Sequence, residues 1–393
     1  MKKNLRGDLF GGLTAGIVAL PLALAFGEQS GLGATAGLYG AAFIAFFAAM
    51  LGGTSTQISG PTAPMTVLSA SIISAILIDR EGDLNQAMPL ILLVFVLSGL
   101  IQILLGLAKL GTNIKYIPKP VVSGFMSGIG VIILITQFMP ALGYNPKNDN
   151  ELIKTHEEKA RISLMSNRLD EVKEKLANDI NENNNPVNLP VDFTNEDIIK
   201  ESKKLINVDS AGVIGSLKYY SRAISNIDYT EAIIAIITII IIYGFKRITT
   251  LVPSALVALI VITLGVTLIE IEYTAISEIK AGIPKLNYNI FSISEILSLA
   301  PYVIMALLLS LLGAIDSLLT SLVADNMTKT RHSPNKELIG QGIGNSIAAI
   351  FGGLPGAGAT IRTVVNIKAG GQTRLSGMIS GILLFCVILA LGP

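Results

Sequence analysis

Gly352-Gly-Leu-Pro-Gly-Ala-Gly-Ala-Thr-Ile-Arg-Thr-Val-Val-Asn-Ile-Lys-Ala-Gly-Gly371 is the stretch that decides how the chain reads. It sits between apolar segments, yet it is too rich in glycine and polar residues to cross a bilayer as an ordinary helix. Its first half reads as loop, and Thr360 to Ile367 reads as the start of a short helix. Irregular backbone at membrane depth is tolerated only where it lines a cavity or is buried in protein. A short helix whose N-terminus faces such a cavity presents free N–H groups and the positive end of a dipole, which suits an anion. The stretch therefore implies an anion site at mid-membrane.

The composition agrees. Of 393 residues, 51% are hydrophobic and 15% charged, against about 25% charged in a soluble domain. A net charge of +1 gives no reason to expect a nucleic-acid partner; membrane lipid is the expected surrounding. The single cysteine, Cys386, lies in an apolar run, so no intrachain disulfide or cysteine metal site forms. No Ser/His/Asp grouping, metal-ligand cluster or phosphate loop is present and both histidines read as loop residues, His156 and His332 being solvated. An enzyme is the weakest reading.

A membrane crossing needs about 20 apolar residues. Eleven candidates follow: Leu9–Gly27, Thr35–Leu51, Met65–Ile78, Met88–Leu110, Val121–Leu142, Ala232–Phe245, Leu251–Ile269, Leu297–Ala324, Leu338–Phe351, Thr360–Ile367 and Leu375–Leu391. The N-terminal run lacks a convincing cleavage site and reads as the first span rather than a signal peptide. Lys and Arg concentrate in alternate gaps (Lys109, Lys115 and Lys119; Lys246 and Arg247; Lys329, Arg331 and Lys336; Lys368 and Arg374). The other gaps are acidic or mixed (Glu28; Asp79, Arg80, Glu81 and Asp83; Glu270, Glu272 and Glu278 with Lys280). That asymmetry places the N-terminus in the cytoplasm. Pro146 to Asn226 is a polar insertion, extracytoplasmic by parity, with an amphipathic helix around Glu151–Leu176 and an Asn/Pro-rich break at Asn181–Pro190. It reads as a loop with some helix and no chemistry of its own.

Two stretches share one plan. Met50-Leu-Gly-Gly53 leads through Thr54 to Ser59-Gly-Pro-Thr62 into span three. Ile350-Phe-Gly-Gly353 leads through Leu354 to Gly358-Ala-Thr360 into span ten. Paired, interrupted segments of this kind point to a transporter binding site at the interface of two repeats. Seven spans separate them, and an odd offset inverts the second copy. Two seven-span repeats make fourteen, whereas the chain stops near the end of span eleven, so it is expected to be incomplete.

These motifs resemble the SulP inorganic anion transporter family. The resemblance runs through Gly7-Asp-Leu-Phe-Gly-Gly-Leu-Thr-Ala-Gly16, Ala19-Leu-Pro-Leu-Ala-Leu-Ala-Phe-Gly27, Gly37-Leu-Tyr-Gly40, Ser59-Gly-Pro-Thr-Ala-Pro-Met-Thr66 and Ser123-Gly-Phe-Met-Ser-Gly-Ile-Gly130. It continues through Asp316-Ser-Leu-Leu-Thr-Ser-Leu-Val-Ala-Asp-Asn326, Asn335-Lys-Glu-Leu-Ile-Gly-Gln-Gly-Ile-Gly-Asn345 and the opening stretch. It implies an all-α polytopic membrane protein with a 7+7 inverted-repeat transporter fold and half-helices at spans three and ten. Residues 1–120 and 271–393 would form a core domain. Residues 121–270 would form a gate domain carrying the insertion at about 146–226. The remaining gate spans and a cytoplasmic STAS domain would be missing. It further implies elevator-type movement of core against gate, a homodimer when full length, and a bacterial plasma (inner) membrane location.

Within that family, Asp316, Thr320, Gly358, Ala359 and Thr360 look like the sodium site of the cyanobacterial sodium-dependent bicarbonate branch, with Na⁺ as coupling ion. Thr62 looks like that branch's substrate-contacting threonine. Leu22 and Phe26 replace the Gln and Tyr common elsewhere in the family, which also leans toward bicarbonate. Arg362 looks like the arginine of other members, where it supports the anion site.

The residues themselves support part of this. A carboxylate at mid-span costs about 2.5–3.5 kcal/mol on insertion scales and normally faces a cavity or partner. Gly313, Asp316 and Thr320 share one helix face, and carboxylate, hydroxyl and carbonyl oxygens suit Na⁺. Proton coupling through Asp316, or an ion pair between Asp316 and Arg362, are the alternatives; Arg362 could otherwise snorkel to headgroups. Thr62 and Thr360 open the two short helices, as N-caps or as ligands, and face one cavity. Ser59, Gly60, Ala359 and Ile361 have N–H groups nearby. The expected function is secondary transport of a small inorganic anion, bicarbonate before sulfate, with a channel as the other class.

Overall fold

The structure, a computed structural model, describes residues 4–80, 82–116, 119–179, 193–210, 212–248, 254–270, 273, 284 and 286–390. Helices dominate. In chain order they are α1 (Leu5–Ser30), α2 (Ala34–Leu51), α3 (Ala63–Asp79), α4 (Leu84–Leu107), α5 (Lys119–Ala141), α6 (Asn150–Asp179), α7 (Asn195–Asp209), α8 (Gly212–Lys218) and α9 (Tyr220–Ser225). There follow α10 (Tyr229–Ile248), α11 (Ser254–Ile269), α12 (Ile293–Ser298), α13 (Val303–Thr328), α14 (Pro334–Ile350), α15 (Thr360–Lys368) and α16 (Arg374–Ala390). Each of the eleven expected spans falls on one of these helices. The seventh is described only from Ser254, and the expected break at 181–190 and the gap residues Glu81, Glu272, Glu278 and Lys280 lie outside the described residues.

Among the described residues, five helical stretches are long and apolar enough to cross a membrane: Leu5–Ser30, Ala34–Leu51, Leu84–Leu107, Ser127–Asn148 and Ala300–Thr328. Shorter apolar helices join them at Ala63–Asp79, Tyr229–Phe245, Ser254–Ile269 and Arg374–Ala390. Because these helices are apolar on all sides, they must be surrounded by other helices or by lipid. α2, α4 and α14 pack side by side, α16 lies against α1 and α2, and α13 against α4. The largest core cluster joins α3, α4 and α13 through Met65, Ile76, Leu90, Phe95, Leu309 and Leu312.

The two glycine-rich stretches meet at the centre of this body. Ser59–Gly60 (β1) and Ala357–Gly358 (β2) pair antiparallel, Ser59 opposite Gly358 and Gly60 opposite Ala357. Each strand leads directly into a helix, α3 or α15. The helices differ in length. α15 has nine residues and is a half-crossing of about 14 Å. α3 has 17, about 26 Å, nearer a whole crossing than the expected half-helix.

The insertion is more structured than a loop. Met139, Tyr144, Leu152, Ile153, Ile206, Tyr219 and Ala223 form a separate small core. Thr194 and Asp197 close a reciprocal capping box at the start of α7. Tyr220 donates to the Ile135 carbonyl of α5 at 2.7 Å. Arg222 grips Asp149 through Nε and Nη2 at 2.7 and 3.1 Å. His156 is not solvated as expected: its side chain is 12% exposed, with Nε2 3.8 Å from Asp209. His332 likewise lies 2.7 Å from Asp325 and is nearly buried, because the α13–α14 connection folds back over it.

Hydrogen bonding to the Arg222 guanidinium holds the Asp149 carboxyl well below its ordinary range. A carboxyl depressed in the folded state stabilises above its unfolded value and loses that contribution only as pH falls through the lowered one. Arg222→Ala is therefore expected to destabilise the insertion by about 1.5–3 kcal/mol at neutral pH. Hydrogen exchange at the Leu152 amide, which donates to Asp149, reads the loss. In the wild type that protection should survive acidification to about pH 5.

Candidate ion-binding site

The β1/β2 pair brings the predicted oxygen donors together. Asp316, in the middle of α13, is 7% exposed, and its Oδ2 accepts a 2.8 Å hydrogen bond from Thr62 Oγ1. One turn on, Thr320 Oγ1 donates to the Gly358 carbonyl at 2.8 Å and lies 2.8 Å from Thr360 Oγ1. Two oxygen sets, Asp316 with Thr62 and Thr320 with the Gly358 carbonyl and Thr360, thus lie one turn apart along α13 where it packs against α3 and α15. Hard oxygen donors of this kind fit a small cation. Thr360 itself is exposed, so the cluster reaches the protein surface on the α15 side.

The threonines do not cap their helices through their side chains. Thr62 has the extended backbone of an N-cap but no side-chain capping bond, its hydroxyl being turned to Asp316. Thr360 is the first helical residue, and Ala359 takes the N-cap position. Ala359 N–H donates to the Ile58 carbonyl at 2.8 Å and is thereby withdrawn from any anion. Ser59 is buried and its Oγ accepts from Gln341, an acceptor role that leaves its O–H donor uncommitted. Ile361 is 68% exposed. Phe26 packs half-buried against the large core cluster and makes no polar contribution. A cleft of about 1040 Å³ runs between α1, α3 and α5, past Glu28, Ser71, Ser74 and Thr136, and none of the predicted site residues lines it. The single cavity expected to hold both threonines is thus not this one.

Arg362 is neither a headgroup anchor nor the partner of Asp316. It is 1% exposed, Nη2 donates to the Pro61 carbonyl at 3.1 Å, and Nη1 has no hydrogen-bond partner. The guanidinium lies against β1: a Cβ on Gly60 would come within 2.5 Å of Nη1. Neither Arg362 nor Asp316 takes part in an ion pair among the described residues. Two buried, oppositely charged groups therefore flank the junction of β1 and α3 without forming an ion pair with each other.

Behind the donors lies a polar layer that sequence reasoning missed. Ser317 Oγ accepts the Gly358 N–H at 3.1 Å. Asn345 clasps Gly356 through both its N–H and its carbonyl. Asn366 holds the Thr56 carbonyl, and Glu337 is 2% exposed. The signal was present in α14, where Glu337, Gln341 and Asn345 recur every fourth residue and so form one polar stripe along the helix.

A family model described as the sulfate permease family matches residues 5–172 and 198–393. The bicarbonate transporter BicA of Synechocystis is 40% identical over 391 residues, which is 98% of this chain and 57% of that protein. This chain thus spans little more than half the length of that curated relative. The solved transmembrane domain of a cyanobacterium bicarbonate transporter BicA superposes with a TM-score of 0.77 at 39% identity, covering 99% of this chain and 83% of that one. Murine Solute Carrier 26 family member A9, in its inward-facing state, superposes with a TM-score of 0.71 over 100% of this chain and 57% of its own. At 17% identity that likeness is one of fold alone. The helices, their apolar lengths and these matches make this an integral membrane protein, and the chain belongs to the sulfate permease family.

Proposed function

We propose that the protein is a secondary active transporter of a small inorganic anion, bicarbonate before others, coupled to Na⁺. The observation that carries this reading is the pair of buried charges without counter-charges. Removing a charge from water costs several kcal/mol unless a partner neutralises it, and here a carboxylate and a guanidinium each lack one. A cation on Asp316 and an anion beside Arg362 would answer both together, which is the arrangement a symporter needs. Sodium would take Asp316, Thr320, the Gly358 carbonyl and Thr360. The anion would meet Arg362 Nη1 and the N-terminal end of α15, whose dipole favours negative charge.

The likeness to bicarbonate transporters supports bicarbonate. Sulfate or another anion, with proton coupling or exchange, is the second reading. It draws on Arg362 and on the family's description. A channel is a third; the uncompensated Asp316 favours coupling over leak. The helices of residues 1–120 and 271–393 pack around β1/β2, and α5 and α11 meet them chiefly at α3 and α1. We assign the first group to a mobile core and residues 121–270 to a gate, with an elevator-type movement between them. The N-terminus would lie in the cytoplasm of a bacterial inner membrane, and the full-length protein would be a homodimer.

Uptake of labelled bicarbonate and of sulfate into proteoliposomes, with and without an inward sodium gradient, tests the reading. Sodium-driven bicarbonate uptake is expected. Equal uptake without sodium sinks the symport, and uptake that follows an imposed pH gradient moves the assignment to proton coupling.

A further inference from the structure

Glu337, in the first turn of α14, makes no contact with the candidate ion donors, yet it is almost wholly buried. Its carboxylate is fully engaged. Oε2 accepts the backbone N–H groups of Gly53 and Thr54, both at 2.8 Å. Oε1 accepts Gln57 Nε2 at 2.8 Å and Gln341 Nε2 at 2.9 Å. Three of these bonds, from Gly53, Thr54 and Gln57, fasten the extended arm between α2 and β1 to α14; the fourth, from Gln341, lies within α14.

Gln57 carries the constraint onward. Its Oε1 accepts from Ser321 at 2.8 Å, and Ser321 also lies 2.8 Å from Thr54 Oγ1. With Nε2 turned to Glu337 and Oε1 to Ser321, the side-chain amide has one orientation that satisfies both ends. That amide lies against Gly358, where an added Cβ would come within 2.3 Å of Nε2. Gly358 is the residue whose carbonyl joins the cation donors. It is clasped by Gln57 on one side and by Thr320 and Ser317 on the other.

We propose that Glu337, acting through Gln57, is a positioning residue that fixes the Gly358 carbonyl and so sets the cation affinity and size preference of the site. The inference rests on the sodium reading above. Partners that hold a metal's ligands in place typically contribute roughly 10- to 100-fold in affinity, and a fixed carbonyl discriminates ionic radius where a free one adapts.

The test uses the full-length protein in two formats: sodium- and lithium-dependent thermal stabilisation in detergent, and anion uptake in proteoliposomes. Gln57→Ala removes the wedge while leaving Glu337 bonded to Gly53 and Thr54, so the arm stays fastened. Glu337→Gln is the second variant; an amide there turns N–H toward N–H and frees Gln57. Both are expected to raise the sodium midpoint roughly 10- to 100-fold and to narrow the preference for Na⁺ over Li⁺. The anion KM at saturating sodium should stay at its wild-type value. A folded Gln57→Ala protein with wild-type sodium midpoint and ion preference overturns the inference, as does an anion KM that worsens in step with the sodium midpoint. If the wild type itself ignores sodium in both formats, the cation reading falls and this inference with it.

Discussion

Asp316→Asn is expected to abolish sodium-dependent anion uptake while leaving the protein folded. The substitution keeps shape and keeps an oxygen able to accept the 2.8 Å bond from Thr62, so the local packing around α13 need not change. What disappears is the charge. Removing one partner of a buried ion pair typically costs about 3–5 kcal/mol, which corresponds to a loss of sodium affinity of roughly 10²- to 10⁴-fold. In sodium-free buffer the sign reverses. The wild type then holds a carboxylate with no ion-pair partner, so the Asn variant should melt at the same temperature or higher. Sodium should raise the melting temperature of the wild type by mass action and leave that of the variant unchanged. A variant that still takes up anion in proportion to the sodium gradient would remove Asp316 from the cation site. One that melts far below wild type without sodium would make Asp316 a structural residue instead.

This double behaviour was half legible in the sequence. An acid in the middle of an apolar run announces itself, because hydropathy patterning registers what each segment costs in lipid. The same patterning placed the eleven expected spans on stretches that are helical, and it singled out the two lead-ins, ending at Thr62 and Thr360, that pair through β1 and β2. Patterning does not say what a buried polar side chain bonds to, since those partners arrive from elsewhere in the chain. Thr62 read as an N-cap or a ligand from its local sequence; it holds the N-cap position, but its hydroxyl is drawn to Asp316, 254 positions away. Ala359 read as an anion donor, yet its N–H belongs to Ile58 on the facing arm. Glu337 drew no reading of its own from the sequence, yet it bonds Gly53, Thr54 and Gln57 of that arm. The histidines were misjudged for a related reason. Loops are polar on average, but His332 lies in a connection that folds back to Asp325 and His156 lies within α6 beside Asp209, and only the tertiary fold reveals it. The insertion follows the same logic, its core being assembled from α5, α6, α7 and α9.

Arg362→Met should separate binding from stability in the opposite electrostatic sense. Met fills much of the volume of the arginine stem and introduces no charge. It loses the 3.1 Å bond to the Pro61 carbonyl, a cost of about 1–3 kcal/mol for a buried acceptor left without a donor. Against this, it relieves a fully buried guanidinium that has an unpartnered Nη1 and no ion pair, and replacing buried ionic groups by apolar ones of similar volume is often stabilising by about 1–4 kcal/mol. The net expectation is a melting temperature at or above that of wild type. Anion uptake should nevertheless fall by about two orders of magnitude or more, since a charge-assisted contact to an anion is lost where water is excluded. The fall should appear in the anion KM before the sodium midpoint. Arg362→Lys sharpens the assignment. Lysine retains the charge but not the planar fork that lets one nitrogen hold Pro61 while the other stays without a hydrogen-bond partner, so partial uptake with a raised anion KM is expected. If Arg362→Met transports normally, the anion is held by backbone alone, and the guanidinium serves only to brace β1 against α15. If Arg362→Met and Asp316→Asn lose anion and sodium binding independently, the two charges act on separate ions. If combining them restores binding of neither but raises stability beyond the sum of the singles, the two charges sense each other through the empty site, and ion binding is what the fold sacrifices that stability to obtain.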